Sequence, residues 1–430
     1  MSNYWPRGKG LLIAMNLNYL PSKEPTIKVG IILPADKMSK VDIILSNNDS
    51  FEIETAEKLY PSCKNFKKLS IMITESGLRL DELSCISTKI SIKPITASEN
   101  TFITLKNVIA GRGFHWQKKI DVKYWGKIDF IVKEKNLLAI NEVKLEDYLK
   151  CVATSEMSQN CPSEFLISQT IVARSWILAN IEQKHKDLNF DVCNDDCCQR
   201  YQGLNNCSAE SIEAANNSYG KVLIYGNQIC DTRYSKSCGG ITENYENVWE
   251  NKRVPYLRSV KDCNHLNKDY CNPDLYPDSS ISDYIGSVDE DHEYYRWKFE
   301  VDNAFIITSL NEKYKIDATQ LVNIKPINKG PSGRIYQLGV MFRDKYGIEK
   351  SIVINSEYKI RDLMSKSFLF SSAFSVKKDG EKFILHGKGW GHGVGLCQIG
   401  ALGMSLSNKK SIQILSHYFP KTEVRKIYNS

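Results

Sequence analysis

The stretch Ser163-Glu164-Phe165-Leu166-Ile167-Ser168-Gln169-Thr170-Ile171-Val172-Ala173-Arg174-Ser175-Trp176-Ile177-Leu178-Ala179-Asn180-Ile181 follows Pro162 and reads as one helix. Pro162 and Ser163 supply a start signal, and Glu164 suits the positive end of the helix dipole. Apolar residues fall on nearly every face, so the helix is expected to be buried nearly all round. Its few polar side chains, Gln169 and Arg174, therefore stand out. An arginine in such a helix must pair with something. It either holds a structural carboxylate or positions a catalytic one or a substrate, and Glu156 is a candidate partner.

Working outward from this helix, the pattern changes. Ile27 to Leu33, Val41 to Leu45, Leu69 to Ile73 and Ile90 to Ile92 alternate with period two, broken by Pro34-Ala35-Asp36 and Ser46-Asn47-Asn48. Such runs are strands and turns. Residues 1–98 are expected to form a β-rich module, and Ile120 to Ile140 to continue as a β meander. Downstream come a short helix at Ala209 to Asn217, a strand pair around Val222 to Tyr225, and a loop from Asp262 to Asp291. A mixed α/β segment at about 283–378 and a terminal helix complete the chain. The fold class expected is α+β, with 99–430 as the second domain.

The chain has 430 residues, 42% hydrophobic and 25% charged, which excludes disordered, collagen-like and membrane-bundle classes. Its 57 basic against 50 acidic residues leave +7, enough to favour an anionic surface or polymer without demanding nucleic acid. No apolar run is long enough to span a membrane. The patch Leu11 to Met15 breaks at Asn16, short of an export signal's apolar region, so no signal peptide is expected. Thirteen cysteines, eight of them between Cys193 and Cys271, suggest either a disulfide framework or reduced thiols with one metal site.

Five groups of residues carry candidate chemistry. His386-Gly387-Lys388-Gly389-Trp390-Gly391-His392-Gly393-Val394-Gly395 has glycine at every odd position from 387 to 395. Extended, it would leave one face bare for another backbone or a ligand, and would present His386, Lys388, Trp390 and His392 on the other. Two imidazoles and an indole on one strand favour a ligand floor. No phosphate-binding glycine motif fits here. Glu156, just ahead of the buried helix, is either a solvated helix-entry residue or a carboxyl whose proton is favoured by an apolar wall, as a general acid requires. Arg174 is the third. Cys193, Cys197 and Cys198 form the fourth group, a possible zinc site whose remaining ligand would be water, His392 or a distant cysteine. Inert or disulfide-bonded thiols are the other reading. The fifth is Tyr234-Ser235-Lys236-Ser237-Cys238-Gly239-Gly240, a hydroxyl-rich turn suited to a polar ligand and lacking serine-hydrolase motifs.

Taken in order, these segments resemble the SpoIID/LytB family. The resemblance rests on Leu145-Glu146-Asp147-Tyr148-Leu149, Ser155-Glu156-Met157, Ala173-Arg174-Ser175 and Cys198-Gln199-Arg200-Tyr201-Gln202-Gly203. It continues through Ser237-Cys238-Gly239-Gly240-Ile241-Thr242-Glu243 and the long run from Gly387 through Gly395-Leu396-Cys397-Gln398-Ile399-Gly400-Ala401. It covers roughly residues 100 to 425. It implies a SpoIID-like catalytic domain and a peptidoglycan lytic transglycosylase that cuts MurNAc–GlcNAc bonds in strands stripped of stem peptides. LytB-type relatives imply the alternative of a non-catalytic glycan binder that enhances an N-acetylmuramoyl-L-alanine amidase. The family's catalytic glutamate falls on Glu156 and its neighbouring arginine on Arg174. Gln169, Gln199, Tyr201, Ser237, Lys388, Trp390, His392 and Gln398 are then expected at the substrate. A structural zinc is expected on Cys193, Cys197 and Cys198, with Cys197 standing where members usually carry His. Glycan strands and an amidase are the partners implied, and the substrate places the protein at the cell wall or in the periplasm.

Overall fold

The computed structural model describes residues 21–47, 50–62, 66–113, 116–180, 185–276, 281–285 and 293–429. The Leu11 to Met15 patch lies outside them. The chain divides into two compact units. Unit 1 comprises Met1–Asn160, Ala173–Val222 and Arg425–Ser430; unit 2 comprises Cys161–Val172 and Leu223–Val424. Both mix helices and sheets, and the fold is α+β.

Unit 1 begins with β1 (Thr26–Ile32), β2 (Lys40–Leu45), β3 (Phe51–Thr55), β4 (Leu59–Tyr60), β5 (Lys68–Thr74), β6 (Gly77–Leu80), β7 (Cys85–Ser87), β8 (Lys89–Pro94), β9 (Ile103–Ala110), β10 (Lys118–Tyr124), β11 (Lys127–Lys133) and β12 (Asn136–Lys144). The helices α1 (Leu145–Glu156) and α2 (Ser163–Asn180) follow, α2 belonging to unit 2 up to Val172 and to unit 1 from Ala173, then β13 (Val192–Cys193) and α3 (Ala209–Asn217). One sheet has the order β13-β1-β12-β11-β8-β3-β4 and the other β10-β9-β2-β5-β6-β7. Alternation drives this: in β2, Val41, Ile43 and Leu45 point into the core while the residues between them do not. Strands on either side of residue 98, where a step between domains was expected, pair with one another: β1 with β12, β8 with β11 and β2 with β9.

Two features position the candidate acid. β12 runs straight into α1, whose first turn carries Glu146 and Asp147 at the positive end of its dipole. β13 pairs in parallel with β1 through Val29↔Val192 and Gly30↔Cys193, which fixes the start of the cysteine loop on the sheet. Helix α2 is as buried as its sequence requires: nearly every residue from Phe165 to Ala179 is out of solvent.

From here the chain forms β14 (Lys221–Tyr225), β15 (Gln228–Ile229), β16 (Tyr234–Ser235), α4 (Ser282–Ile285), β17 (Arg296–Asp302), α5 (Asn303–Tyr314), β18 (Ala318–Lys329), β19 (Ile335–Asp344), β20 (Glu349–Asn355) and α6 (Glu357–Met364). It ends with β21 (Phe374–Asp379), β22 (Lys382–Lys388), β23 (Leu396–Cys397), α7 (Gln398–Leu406), α8 (Ser411–Tyr418) and β24 (Glu423–Lys426). In unit 2, the sheets β17-β22-β21 and β18-β19-β20 and the helices α5 and α6 share one apolar core that includes Trp297, Ile306, Leu338, Ile360 and Leu385. The parallel pair β16–β23 aligns Ser235 with Cys397, and a bridge joins Ser237 to Trp390. The hydroxyl-rich turn and the glycine run, far apart in sequence, are thus neighbours.

Candidate functional site

Glu156 is the last residue of α1 and is only 8% exposed. Its Oε1 accepts the Arg200 backbone N–H at 2.9 Å. One residue earlier, Ser155 Oγ donates to the Cys151 carbonyl at 2.7 Å and accepts the Gln202 N–H at 3.3 Å. Two main-chain donors of the cysteine loop thus seat it on the final turn of α1. The other two carboxylates of α1 are committed elsewhere: Asp147 accepts from Lys150 at 2.8 Å, and Glu146 is saturated.

Glu146 is the partner of Arg174, which corrects the expectation that Glu156 fills that role. The guanidinium, fully buried, donates from Nε to Glu146 Oε1 at 2.9 Å and from Nη2 to Oε2 at 2.6 Å. Nη1 donates to the Lys221 carbonyl at 3.0 Å. Glu146 also accepts the Gly220 N–H and the Tyr428 hydroxyl. Ten helical residues separate Glu146 from Glu156, about 15 Å of rise, so one guanidinium cannot serve both.

Gln199 and Tyr201 are also placed differently from the expected substrate contacts. Gln199 is fully buried, accepts from the Tyr148 hydroxyl at 3.0 Å and donates to the Ala173 carbonyl at 3.2 Å. Tyr201 packs against Tyr124 and Tyr148 and donates to Asn141 Oδ1 at 3.0 Å. Burial pushes both the Tyr148 and Tyr201 phenols well above their ordinary range. These side chains are struts. The loop reaches Glu156 through its backbone, which sequence reasoning could not see.

The three thiols of the loop do converge, and His185 joins them. Cys193 Sγ lies 2.9 Å from Cys197 Sγ, Cys197 Sγ 3.9 Å from Cys198 Sγ, and His185 Nε2 3.3 Å from Cys198 Sγ. One donor atom from each residue falls within 4.8 Å of all the others. Leu33, Leu138, Ile140 and Phe190 wall the cluster. His185 was missed because it precedes Cys193 by eight residues, outside the cysteine run that drew attention. His392, one of the candidates for that place, belongs to unit 2. The loop is anchored separately through side chains: the Asp195 carboxylate accepts the Gly111 and Arg112 N–H groups, and the Arg112 side chain binds Asp36 and Asn194 Oδ1.

Unit 2 carries the remaining nominated residues. Among the described residues, the buried Gln169 amide has no hydrogen-bond partner at either atom, and neither Ser237 Oγ nor Gln398 Nε2 has one. Lys388 is half-buried; desolvation, then Arg296 and Arg334, lower its pKa. His392 Nδ1 accepts the Val394 N–H at 3.0 Å, and its ring meets Trp249 edge-on. Burial, then Arg233, Arg334 and Arg361, hold its pKa well below the ordinary imidazole value. Trp390 stacks on Phe370 at 4.3 Å and touches Tyr294 at 4.7 Å.

The bare-strand expectation for the glycine run is overturned. β22 stops at Lys388, and Gly389, Gly391, Gly393 and Gly395 all have positive φ, so the segment coils where an extended strand was expected. The space left by missing side chains is filled from within. The Trp297 indole lies on Gly387, and the Arg334 guanidinium lies where a Gly393 Cβ would stand. Arg334, buried and not singled out from sequence, donates to the carbonyls of Gly391 at 2.9 Å, Cys238 at 3.1 Å and Ser237 at 3.2 Å. It ties the two motif segments together.

Comparison with known proteins agrees with the sequence resemblance. The family model of Stage II sporulation protein (SpoIID) matches residues 133–225, which contain Glu156, Arg174 and the thiol loop. A domain of unknown function, DUF8618, matches 243–395. An uncharacterized protein of Brachyspira hyodysenteriae is 28% identical over 306 residues, covering 70% of this chain and 72% of that protein. Stage II sporulation protein D of Bacillus subtilis is 24% identical over 302 residues, 66% of this chain and 76% of the relative. The amidase enhancer of Bacillus subtilis is 25% identical over 293 residues, 64% of this chain but only 40% of the relative's length.

Proposed function

Because the chain is a SpoIID/LytB-family protein, we propose that it acts on the bacterial cell wall as a peptidoglycan lytic transglycosylase. Its substrate is a glycan strand freed of stem peptides, cleaved between MurNAc and GlcNAc to leave a 1,6-anhydro-MurNAc end. The observation that carries this reading is Glu156: a carboxyl nearly out of solvent, at a helix end, with one oxygen fixed by the Arg200 N–H. A group that must act first as acid and then as base needs both states within reach.

The acid protonates the leaving glycosidic oxygen as the C1–O bond breaks. The resulting carboxylate then takes the proton of the sugar's own C6 hydroxyl while O6 bonds to C1 and closes the anhydro ring. The proton returns to Glu156 and no water is consumed, so the second carboxylate of ordinary glycosidases is unnecessary. Arg174 is a positioning residue in this scheme: through Glu146 it holds the helix whose other end carries Glu156. Gln169, Ser237, Lys388, Trp390, His392 and Gln398 are assigned to strand binding, with the Gln169 amide and Gln398 Nε2, unpartnered among the described residues, as support.

The donor set His185, Cys193, Cys197 and Cys198 suits zinc, which favours imidazole and thiolate. Four protein donors leave no open position, so the ion would supply a structural clip for the loop that presents the Arg200 N–H.

The test is product analysis on stem-peptide-free glycan strands. Wild type should release 1,6-anhydro ends and Glu156→Gln, which keeps shape and loses the acid, should not. Reducing ends in place of anhydro ends would sink the mechanism. A second reading is favoured by the relative named amidase enhancer: a glycan binder that stimulates an N-acetylmuramoyl-L-alanine amidase. Stimulation that survives Glu156→Gln without new sugar ends would select it. Either role places the protein outside the cytoplasmic membrane; among the described residues no helix is long and apolar enough to cross one.

A further inference from the structure

Unit 2 contains a second group of metal-ligating side chains that the proposed chemistry does not use. Cys238 follows β16, Asp262 and Cys271 lie on the segment beyond it, and Cys397 caps the N-terminus of α7. Three Sγ atoms and one carboxylate oxygen all lie within 4.8 Å of one another, and all four residues are buried. Cys238 Sγ is 3.7 Å from Cys271 Sγ and 3.1 Å from Asp262 Oδ2. A tetrahedral zinc with bonds of about 2.3 Å to sulfur and about 2.0–2.2 Å to oxygen has S···S edges of about 3.8 Å and S···O edges of about 3.5 Å.

The surroundings point the same way. Asp262 is fully buried, yet among the described residues no lysine or arginine pairs with it; its nearest basic group is His417 Nε2 at 3.9 Å. A carboxylate so placed is costly without a cation. Its Oδ1 accepts the Tyr418 hydroxyl at 2.5 Å, which leaves Oδ2 toward the thiols. The sulfurs in turn receive backbone donors. Cys397 Sγ accepts the N–H groups of Cys238 at 3.1 Å and Gly400 at 3.3 Å, and Cys238 Sγ accepts that of Gly240 at 3.3 Å. Three main-chain N–H donors are thus aimed at two of the sulfurs, the kind of hydrogen bond that orients a ligating sulfur. The cradle is close-fitting: a Cβ on Gly400 would meet Asp262 Oδ2 at 2.4 Å and the Tyr418 hydroxyl at 2.3 Å. A disulfide between two of the thiols would leave the third thiol and the carboxylate unexplained.

We propose that Cys238, Asp262, Cys271 and Cys397 form a second metal site of S3O type, suited to a thiophilic divalent ion of the zinc class. Its role is structural. Four protein donors close the coordination sphere, and the ion fastens the Ser237–Cys238 turn, the 262–271 segment and the start of α7 to one point. Binding replaces thiol protons, which leave to solvent, so uptake strengthens as pH rises.

The experiment is native mass spectrometry with elemental analysis of the full chain, purified under reducing conditions, loaded with zinc and desalted. Asp262→Asn and Cys271→Ser should each hold one zinc fewer than wild type. Cys197→Ser should lose a different ion and retain the one that Asp262→Asn removes, which separates this site from the His185 cluster. Cobalt loaded into Cys197→Ser should show thiolate-to-metal charge-transfer absorption that Cys271→Ser abolishes. Unchanged zinc content in Asp262→Asn and Cys271→Ser overturns the proposal. So does a disulfide joining any two of Cys238, Cys271 and Cys397 in the unreduced protein. If the unit 2 variants do not fold, wild type decides by alkylation mapping. Chelator treatment should speed labelling of Cys238, Cys271 and Cys397, and unchanged labelling rejects the site.

Discussion

Removing Glu146 tests whether Arg174 serves structure or chemistry. In Glu146→Ala the Arg174 guanidinium loses both charged hydrogen bonds at a position with no solvent access. Breaking a buried pair in this way costs about 3–5 kcal/mol, because the surviving charge is uncompensated. The Gly220 N–H and Tyr428 hydroxyl lose the same acceptor, each worth about 1–3 kcal/mol if it stays dry. These terms overlap, so a total of about 4–6 kcal/mol is reasonable for neighbours in one network. That is a large part of the about 5–15 kcal/mol that holds a folded protein together. With a urea slope of about 3 kcal/mol/M, the unfolding midpoint should fall by about 1–2 M, read by far-UV circular dichroism. Replacing both partners by Glu146→Leu and Arg174→Met removes the stranded charge and should recover most of the loss. The double variant, once folded, should keep anhydro-product formation, because Arg174 touches Glu146 and not Glu156. A double variant of wild-type stability that yields no product would show that Arg174 acts on the reaction itself. A midpoint shift below about 0.3 M for Glu146→Ala would refute the energetics.

Other outcomes follow from the same geometry. Gly393→Ala puts a Cβ 2.4 Å from the Arg334 guanidinium at φ +76° and should cost about 2–5 kcal/mol from overpacking and left-handed strain together, measured by thermal unfolding. Gly333→Ala, at φ +84° with nothing nearer than Lys388 Cε at 3.5 Å, should cost only the strain, about 1–2 kcal/mol. Tyr201→Phe strips one donor from Asn141 and should cost about 1 kcal/mol, with KM for glycan strands unchanged; a raised KM would restore Tyr201 as a substrate contact. His392, whose pKa is depressed by burial and by Arg233, Arg334 and Arg361, should stay neutral in the fold while it protonates in the unfolded chain below about pH 6.5. The unfolded state then binds more protons, so stability should fall as pH drops through that range, and His392→Asn should flatten the fall in a urea-midpoint series.

Much of the fold was legible because its signals are local. Period-two alternation in Val41 to Leu45 and the all-round apolar helix at 163–180 need nothing beyond neighbouring residues to be read. The pairing of β1 with β12 and of β8 with β11 was not legible, since it joins residues far apart in sequence, and with it goes any step at residue 98. The same division runs through the site. Cys193, Cys197 and Cys198 are close in sequence and were found together. His185, thirteen residues before Cys198, reaches it only in the folded chain, at 3.3 Å. Arg174 was marked as needing a partner, which is a local inference; which carboxylate answers it depends on how α1 lies against α2.

The glycine run shows how one pattern supports two physical readings. Alternate glycines in an extended strand give a bare face, and the reading of a ligand floor rests on that extension. Alternate glycines are also what a chain needs if every second residue is to take positive φ, which costs other residues about 1–2 kcal/mol each. The second reading holds from Gly389 to Gly395. The resulting coil lets the Gly391 carbonyl and the Ser237 and Cys238 carbonyls converge on Arg334, a buried cation that binds main chain on both segments. Desolvation lowers the Arg334 pKa, and its charge in turn helps keep His392 neutral. The glycines therefore act on the imidazole indirectly, by admitting the arginine. Arg334→Met should accordingly raise the His392 pKa, visible in the imidazole proton shifts, and a pKa that stays where it was would break this link between the coil and the histidine it carries.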